Sequence, residues 1–270
     1  MSAAAAIRTA ERYRAGAWDS VERALPEETP VVIVANGRPF AAVMATPADL
    51  EDLVAGFAVT EGLVEDFAEI GRIVCRAVDE GFEAEIAIPE ARAAKLEDRR
   101  RAFAARTSCS LCGMEGLDML LARRPARAGS AAAPGVAPEA ILAAMAALPA
   151  AQTLNAQTRA VHAAGWADDT GRLKALREDV GRHNALDKLI GGLLRDGAAP
   201  GAGFVCLTSR CSIEMVLKAA AVGVTVLAAA SSPTALAVRA AEAAGVALVA
   251  CVKADALEVY AGRERLEDGA

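Results

Sequence analysis

Two cysteines separated by two residues are the side chains in this sequence best suited to covalent chemistry. Cys109 and Cys112 are the only two of the chain's six cysteines with this spacing. Arginines lie just upstream, at 99–101 and 106, and positive potential lowers the pKa of a thiol towards the reactive thiolate. A glycine at 113 permits loop motion. One interpretation of the pair is therefore a reactive thiol on a mobile loop.

Three other interpretations of the cysteine pair remain open. A zinc site needs four ligands, so the pair would be half of one, and Cys206 and Cys211 would have to supply the rest. A thioredoxin-like redox pair should open a helix after a strand, whereas this pair follows a basic helix predicted over 89–105. Both cysteines could also be structural only. Cys75, Cys206 and Cys251 lie in apolar, strand-like runs and are predicted to be buried filler.

The densest polar cluster surrounds a predicted strand-to-helix turn at residues 177–188. Helix capping by Glu178 or Asp179 accounts for one or two of its members, but not for the cations, the histidine and the asparagine. Polar side chains on the loops of an α/β scaffold usually serve a ligand. The candidate binding residues of this cluster are Arg177, Arg182, His183, Asn184 and Lys188.

The elements of the first half predict a small α+β part. Residues 31–46 read as a hairpin, because Asn36 and Gly37 suit the positive φ values of a tight turn. Pro47 opens a helix to about residue 62, because the apolar residues that follow recur at helical spacing. Two more strands are expected, at 70–78 and 83–88.

The second half alternates between strand and helix. Strands are predicted at 159–166, 172–177, 203–207, 224–229, 247–253 and 257–261, and helices at 138–148, 182–195, 212–222 and 234–244. Alternation at this spacing indicates a three-layer mixed α/β sheet with parallel neighbours. The predicted organisation is a loosely attached arm at 1–28, an α+β part at 29–130 that carries the cysteine pair, a linker within 123–138, and an α/β part over 131–270.

Ligands of such sheets usually bind beyond the carboxyl ends of the strands. Here those ends carry small polar and cationic residues, and amides and hydroxyls at helix starts suit a phosphate. Plain helix capping is the alternative interpretation of the serines. The candidate residues at the strand ends are Ser209, Arg210, Ser231, Ser232, Lys253, Ala254 and Asp255.

Composition and missing motifs exclude several classes of protein. The 270 residues carry 29 Lys and Arg against 35 Asp and Glu, a net charge of −6, so a general nucleic-acid binder is not expected. No apolar run reaches the ~20 residues of a membrane helix, and the N-terminal residues lack a signal-peptide stretch, so we expect a cytoplasmic protein with reduced thiols. Walker, G-x-G-x-x-G and zinc-deaminase patterns are absent, so we expect no ATP hydrolysis, nicotinamide chemistry, deamination or metal centre.

Three segments in this order resemble the formate dehydrogenase accessory sulfurtransferases, the FdhD family. They are SCSLCG at 108–113, EDVGRHNALDK at 178–188 and TSRCSIEMVLKA at 208–219, with supporting matches at 35–39, 60–64 and 231–238. The resemblance implies a cytoplasmic sulfur carrier. Such a carrier takes sulfane sulfur from a cysteine desulfurase and passes it to the molybdenum cofactor, a bis-molybdopterin guanine dinucleotide, to activate formate dehydrogenase. It also implies a C-terminal part similar to cytidine deaminases without their zinc, and a homodimer is an open option.

Carried onto this chain, the resemblance makes Cys109 the persulfide intermediate and Cys112 its partner. This chain has Cys251 and Lys253 where the family has an aromatic residue and an arginine, and Ser209 where a glycine is common. The cations would complement the phosphates of the acceptor, so a guanine nucleotide such as GDP is expected to bind as a partial mimic. The implied cofactor-binding stretch is Cys251, Val252, Lys253, Ala254, Asp255 and Ala256.

Two other functions stay open at this point. A non-enzymatic chaperone would deliver the molybdenum cofactor without moving sulfur, so its cysteines would be dispensable. A thiol-disulfide oxidoreductase would use Cys112 as its resolving thiol.

Overall fold

The computed structural model describes residues 4–94 and 135–268. The cysteine pair, most of the predicted basic helix and most of the predicted linker lie outside the described residues. The helices are α1 (Leu50–Thr60), α2 (Pro138–Ala151), α3 (Thr153–Thr158), α4 (Arg182–Arg195), α5 (Ile213–Ala221) and α6 (Ala235–Ala244). In these two ranges, no helix combines the length and apolar character needed to span a bilayer.

An antiparallel hairpin occupies the N-terminal residues, where we expected an arm without regular structure. Its strands, β1 (Ala5–Arg14) and β2 (Ala17–Pro26), pair along their whole length. Ile7, Tyr13 and Trp18 stay at least 60% exposed. Because neither face of the hairpin is buried, its sequence lacks the alternation of a half-buried strand, which is why the pattern missed it.

A four-stranded sheet follows, in the order β4-β3-β6-β5. Its strands are β3 (Thr29–Ala35), β4 (Arg38–Ala45), β5 (Ile73–Val78) and β6 (Gly81–Ile86). The predicted tight turn between β3 and β4 is confirmed, with φ values of 48° at Asn36 and 73° at Gly37. Helix α1 packs Leu53, Val54 and Phe57 into the core of this sheet, as its helical spacing of apolar residues predicted.

The second half forms a six-stranded mixed sheet in the order β12-β11-β10-β9-β7-β8. Its strands are β7 (His162–Ala167), β8 (Leu173–Asp179), β9 (Phe204–Leu207), β10 (Val226–Ala229), β11 (Ala247–Ala250) and β12 (Glu258–Ala261). Strands β9, β10 and β11 are parallel, whereas β7, β8 and β12 pair antiparallel with their neighbours. The predicted mixed α/β class is confirmed.

Alternate side chains along the strands of this sheet pack against two different helix layers. Val205 and Leu207 join a core with α4, α5 and α6, whereas Phe204 and Cys206 join a core with α2. Such alternation follows from the two-residue period of a strand. The C-terminal part therefore has three layers, and its likeness to the cytidine deaminases remains a prediction.

Helices α1 and α4 approach each other closely and join the two parts of the molecule. A Cβ placed on Gly56 would lie 1.9 Å from the carbonyl oxygen of Asp187, and one on Gly191 would lie 1.9 Å from that of Asp52. Only glycine leaves room for this approach of the two backbones. The contact fixes the position of α4, whose first turn carries part of the candidate site.

Candidate functional site

Several chain segments meet at one edge of the six-stranded sheet. The parallel strands β9, β10 and β11 all end at this edge, and ligands of such sheets usually bind there. The hairpin of β7 and β8 reaches the same edge, because the Thr208 N–H donates to the carbonyl of Ala163 at 3.1 Å and His162 pairs with Asp179. The structure thereby brings the predicted strand-end residues to the same edge as the first turn of α4.

A cavity of about 320 Å³ opens at this edge. Thr208, Ala230 and residues 252–254 line it from the strand ends, and Met145 and Leu148 line it from α2. Three residues of the predicted cofactor-binding stretch are therefore cavity residues. A cavity of this size, with apolar walls and a few polar groups, is typical of a small-ligand site.

Cations and unsatisfied amides lie at the same edge of the sheet as the cavity, although only Lys253 among them lines it. Arg210 and Lys253 are exposed there, and Arg182, in the first turn of α4, has a buried Nε without a hydrogen-bond partner among the described residues. Helices α4 and α5 start at Gly181 and Ser212 without a side-chain cap from the described residues. Uncapped helix starts and cations together favour an anion.

The capping interpretation applies to only some strand-end residues. Thr234 caps α6, since its hydroxyl accepts from a backbone N–H of the first turn at 3.1 Å. Ser209 is buried, and its hydroxyl donates to the carbonyl of Arg210 at 2.9 Å, so this hydroxyl is engaged by the protein itself. Ser231 is half-buried, and Ser232, Asp255 and Ala256 are exposed.

Cys251 is half-buried at the end of β11, which corrects the prediction that it is buried filler. Its φ of 52° lies in the left-handed region, unusual for a residue with a Cβ. Its Sγ lies 3.2 Å from the Ser232 hydroxyl and 3.6 Å from that of Tyr260. A hydrogen bond to Glu258, and then one to Cys251, raise the pKa of Tyr260. Cys251 thus has polar neighbours at the cavity edge.

His183 contacts Glu214 across the starts of two helices. Its Nε2 lies 2.9 Å from Oε2 of Glu214, in the first turn of α5. The nearby imidazole of His183 lowers the pKa of Glu214 against the opposing effect of burial. The pair holds the first turns of α4 and α5 together beside the candidate anion site.

Two predicted binding residues, Lys188 and Asn184, are buried in the structure instead. Lys188 is 0% exposed, with its Nζ 2.7 Å from Oδ2 of Asp179 and 2.9 Å from the carbonyl oxygen of Thr46. The Asn184 amide donates to Met44 O at 2.7 Å and to Asp179 at 3.0 Å. Buried polar groups need such partners. Asn184 therefore anchors the end of β4 and Lys188 the residue that follows it, and neither side chain reaches a surface ligand.

Arg177 is likewise engaged by α1. Its guanidinium lies 2.8–2.9 Å from Oδ2 of Asp52, and Arg195 bonds to the other oxygen of that carboxylate. We therefore assign Arg177 to the contact between the two parts of the molecule and leave it out of the candidate anion site.

Three of the sequence segments that carry the family resemblance meet in one buried ionic cluster around Lys218. Its Nζ lies 2.7 Å from Asp187, 2.8 Å from Glu61 and 3.0 Å from the hydroxyl of Thr60. Burial lowers the pKa of Lys218, but the two carboxylates outweigh it and raise the pKa overall. The 60–64, 178–188 and 208–219 segments thus share a structural function.

Removing the Thr60 hydroxyl should measurably weaken this cluster. The hydroxyl donates to Asp187 at 2.7 Å and accepts from Lys218, so Thr60→Val leaves buried charges with one partner fewer. We expect a loss of about 1–3 kcal/mol in the free energy of unfolding, measured in urea. Thr9→Val, on the exposed hairpin, is the matched control, with less than about 0.5 kcal/mol expected. Equal losses would show that the hydroxyl contributes nothing specific.

The cysteines of the second half do not combine into half a zinc site. Cys206 packs on the α2 face of the sheet and Cys211 packs on the opposite face, so they cannot both bind the ion held by another pair. Burial raises the pKa of each thiol to about 12. Within the described ranges, no group of three or more His, Cys, Asp or Glu side chains could hold a metal.

Gln152 and Glu214 are site residues that the sequence did not mark. Gln152 lies between α2 and α3 and lines the cavity, in the unassigned stretch between the helix predicted at 138–148 and the strand predicted at 159–166. Glu214 reads as an ordinary first-turn acid. Its partner His183 is 31 positions away in sequence, so only the packing of α4 on α5 reveals the pair.

The fold and the site together define an α/β protein with an apolar-walled cavity and anion-favouring groups at the carboxyl edge of its parallel strands. The family model described as the FdhD/NarQ family matches residues 26–267. This chain belongs to that family.

Named relatives and a solved structure agree with this assignment. The chain is 43% identical over 263 residues to "Sulfur carrier protein FdhD" of Xanthomonas axonopodis pv. citri, covering 97% of this chain and 92% of the relative. It is 47% identical over 240 residues to the protein of the same name from Bordetella petrii, covering 89% and 85%. A crystal structure of a protein from Desulfotalea psychrophila, named as a formate dehydrogenase accessory protein, matches with a TM-score of 0.77 and 26% identity, covering 97% of this chain and 99% of that one.

Proposed function

We propose that this chain is a sulfur carrier that accepts sulfane sulfur from a cysteine desulfurase as a persulfide on Cys109. It then transfers the sulfur to the molybdenum cofactor, a bis-molybdopterin guanine dinucleotide, to activate formate dehydrogenase. The observation that carries this proposal is the family membership of a chain that has the SCSLCG pair at 108–113. The names of the relatives support the sulfur carrier function.

In the proposed transfer, the outer sulfur of a persulfide passes from the desulfurase cysteine to Cys109. The Cys109 thiolate attacks the outer sulfur of the desulfurase persulfide, so that a new S–S bond forms at Cys109 and the desulfurase thiolate leaves. Upstream arginines favour the attacking thiolate. Cys112 then either donates a hydrogen bond to the persulfide or takes part in its release to the acceptor.

The acceptor is proposed to bind at the cavity edge of the six-stranded sheet. It is a polyanion, and the exposed cations Arg210 and Lys253 lie at this edge with the half-buried Arg182. Uncapped starts of α4 and α5 add backbone N–H donors. These groups replace the larger set of cations proposed from the sequence, because Lys188 and Arg177 are engaged elsewhere.

Charge reversal at Lys253 should weaken the binding of GDP, which serves as a partial mimic of the acceptor. Lys253→Glu removes one phosphate-binding cation and adds a repelling charge, so we expect GDP affinity to fall by about 10-fold or more. Arg72→Glu, an exposed change just before β5 of the four-stranded sheet, is the control. Calorimetry at two salt concentrations measures both, and binding should weaken as salt rises. Equal losses in both variants would place the phosphates elsewhere.

A cofactor chaperone remains the second candidate function. The observation that favours it is that the described residues by themselves bring cations and uncapped helix starts to the carboxyl edge of the sheet. A chaperone would retain GDP binding and client activation when Cys109 is replaced, whereas a sulfur carrier would retain only the binding. A thiol-disulfide oxidoreductase would instead lose disulfide reduction in the Cys112→Ala variant.

We also propose that the protein forms a homodimer through the N-terminal hairpin. Two strands alone are only marginally stable in water, and this hairpin leaves Tyr13 and Trp18 at 60% and 68% exposed. A second copy would bury these rings. We expect light scattering after gel filtration to give twice the chain mass for wild type and the chain mass for Trp18→Glu.

Val78→Glu, at an exposed apolar residue of β5, is the control for the hairpin and should stay dimeric. A dimer that survives Trp18→Glu, or a monomeric wild type, would contradict this assignment.

We propose a cytoplasmic location together with the sulfur carrier function, since the proposed pathway takes its sulfur from a cysteine desulfurase.

A further inference from the structure

The N-terminal hairpin carries charges of opposite sign on its two faces. Side chains at alternate positions of a strand share a face, and so do residues directly opposite on paired strands. We call one side the arginine face, because it carries four arginines and a single carboxylate: Arg8, Arg12, Arg14, Arg23 and Asp19. The other face carries the two glutamates of the hairpin and its aromatic rings: Glu11, Glu22, Tyr13 and Trp18.

Two cations of the arginine face lie against each other. Arg8 is directly opposite Arg23 in the hairpin register, and like charges in this arrangement destabilise a sheet. Arg12 forms an ion pair with Asp19. Within the described ranges, Arg8 and Arg23 have no ion pair, and each guanidinium donates only to the carbonyl of the preceding residue. A bound anion would offset the repulsion between these two side chains.

A cavity of about 290 Å³ lies where the hairpin meets α3. Arg23 lines it from β2, and Arg159, the residue after α3, lines it from the other side. Gln157 and Thr158 also line it, but their side chains donate to carbonyls of the preceding turn of α3 at 3.2 Å and 3.0 Å. The two exposed guanidiniums therefore supply the positive charge of this cavity. None of its lining residues lines the cavity at the edge of the six-stranded sheet.

We infer that the arginine face and this cavity bind an acidic segment of a partner protein. Arg8 and Arg14 are six residues apart on β1, which is about 20 Å at the rise of a strand. A single phosphate cannot bridge cations over that distance, whereas a chain that carries several carboxylates can. Guanidiniums bind carboxylates through paired, charge-assisted hydrogen bonds.

The arrangement of aromatic residues favours a protein segment over a nucleic acid. Single-stranded nucleic acids bind where aromatic rings stack on their bases beside the cations. Here Tyr13 and Trp18 lie on the face opposite the arginines, and the net charge of the chain is −6. The proposed dimer would bury those two rings and leave the arginine face open. The arginine face also takes no part in the proposed sulfur chemistry.

Fluorescence anisotropy with a labelled decapeptide of alternating glutamate and serine tests this surface on the full-length protein. Wild type should bind the peptide, and binding should weaken as salt rises. The double variant Arg23→Glu/Arg159→Glu should bind it about 10-fold more weakly or worse. Arg72→Glu/Arg239→Glu makes the same change in net charge at two exposed arginines outside the hairpin and should bind the peptide like wild type.

Arg8→Glu separates binding from stability. The change places a carboxylate opposite Arg23, so a repelling pair becomes an attracting pair. We expect the melting temperature to stay the same or rise while affinity for the acidic peptide falls. A fall in both would show that Arg8 serves the hairpin itself and would contradict its assignment to a partner.

The possible failures are distinguishable. Absence of peptide binding to wild type, or equal losses in the two double variants, would overturn the docking surface. Displacement of the peptide by an equal concentration of pyrophosphate would show a site for free anions, and tighter binding of oligothymidylate would show a nucleic-acid surface. GDP binding and persulfide formation on Cys109 should be unchanged in Arg23→Glu/Arg159→Glu, so the proposed function is tested separately.

Discussion

Replacing Cys109 with alanine is expected to abolish the activation of formate dehydrogenase while leaving the fold and the affinity for GDP unchanged. A persulfide needs a thiolate, and three other thiols are poor substitutes. Cys206 and Cys211 are buried, and Cys75 is half-buried, which corrects the prediction that it is buried filler. Burial raises the pKa of Cys75 to about 11, and that of Cys206 and Cys211 to about 12. At neutral pH these three remain protonated, so they cannot take over sulfur transfer.

Client activity in cells that lack the native protein measures this effect. The client enzyme should be made at normal levels in the Cys109→Ala cells but stay inactive. Cys75→Ala is the control, since it removes a thiol of raised pKa and should keep client activity near that of wild type. Normal client activity with Cys109→Ala would show that the persulfide assignment is wrong and would favour the cofactor chaperone.

Gly191→Ala is expected to cost more than about 3 kcal/mol in the free energy of unfolding, the largest stability effect that we predict. Its new methyl group would lie 1.9 Å from the carbonyl oxygen of Asp52, which is backbone and cannot rotate away. Helices α1 and α4 would have to separate, and the ion pairs of Asp52 with Arg177 and Arg195 would open. Urea unfolding of the full-length protein measures the change.

Gly71→Ala is the matched control for the helix contact. A Cβ there would lie 3.3 Å from the methyl group of Ala87, so small movements can accommodate it, and we expect a change of less than about 1 kcal/mol. A Gly191→Ala protein as stable as this control would mean that the close approach of α1 and α4 does not hold the two parts together.

The secondary structure of the second half could be predicted because its patterns are strong. The helix expected over 182–195 is observed at Arg182–Arg195, and it is buried continuously from Asn184 to Leu193. The parallel strands are continuous apolar runs bounded by turn residues, which is typical of strands buried on both faces. The hairpin of β1 and β2 was missed because it buries neither face.

The location of the candidate site could be predicted from the sequence, but not which residues belong to it. The strand ends come together as the topology requires, yet Lys188 looks in sequence like any cation of the cluster. Its burial depends on Thr46, which lies 142 positions earlier and accepts from its Nζ. Gln152, in contrast, lines the cavity but was not predicted. The cavity forms only when α2 packs against the ends of β9 and β11. Contacts between distant segments carry no local sequence signal.

Incubation of the full-length protein with a cysteine desulfurase and cysteine, followed by peptide mass spectrometry without reductant, tests whether Cys109 carries sulfur. We expect the peptide containing Cys109 to gain the mass of one sulfur atom, and reductant to remove it. Peptides containing Cys75, Cys206 or Cys211 should stay unmodified, because their raised pKa keeps those thiols protonated. An unmodified Cys109 peptide, from a desulfurase shown to be active, would show that Cys109 is not the sulfur carrier.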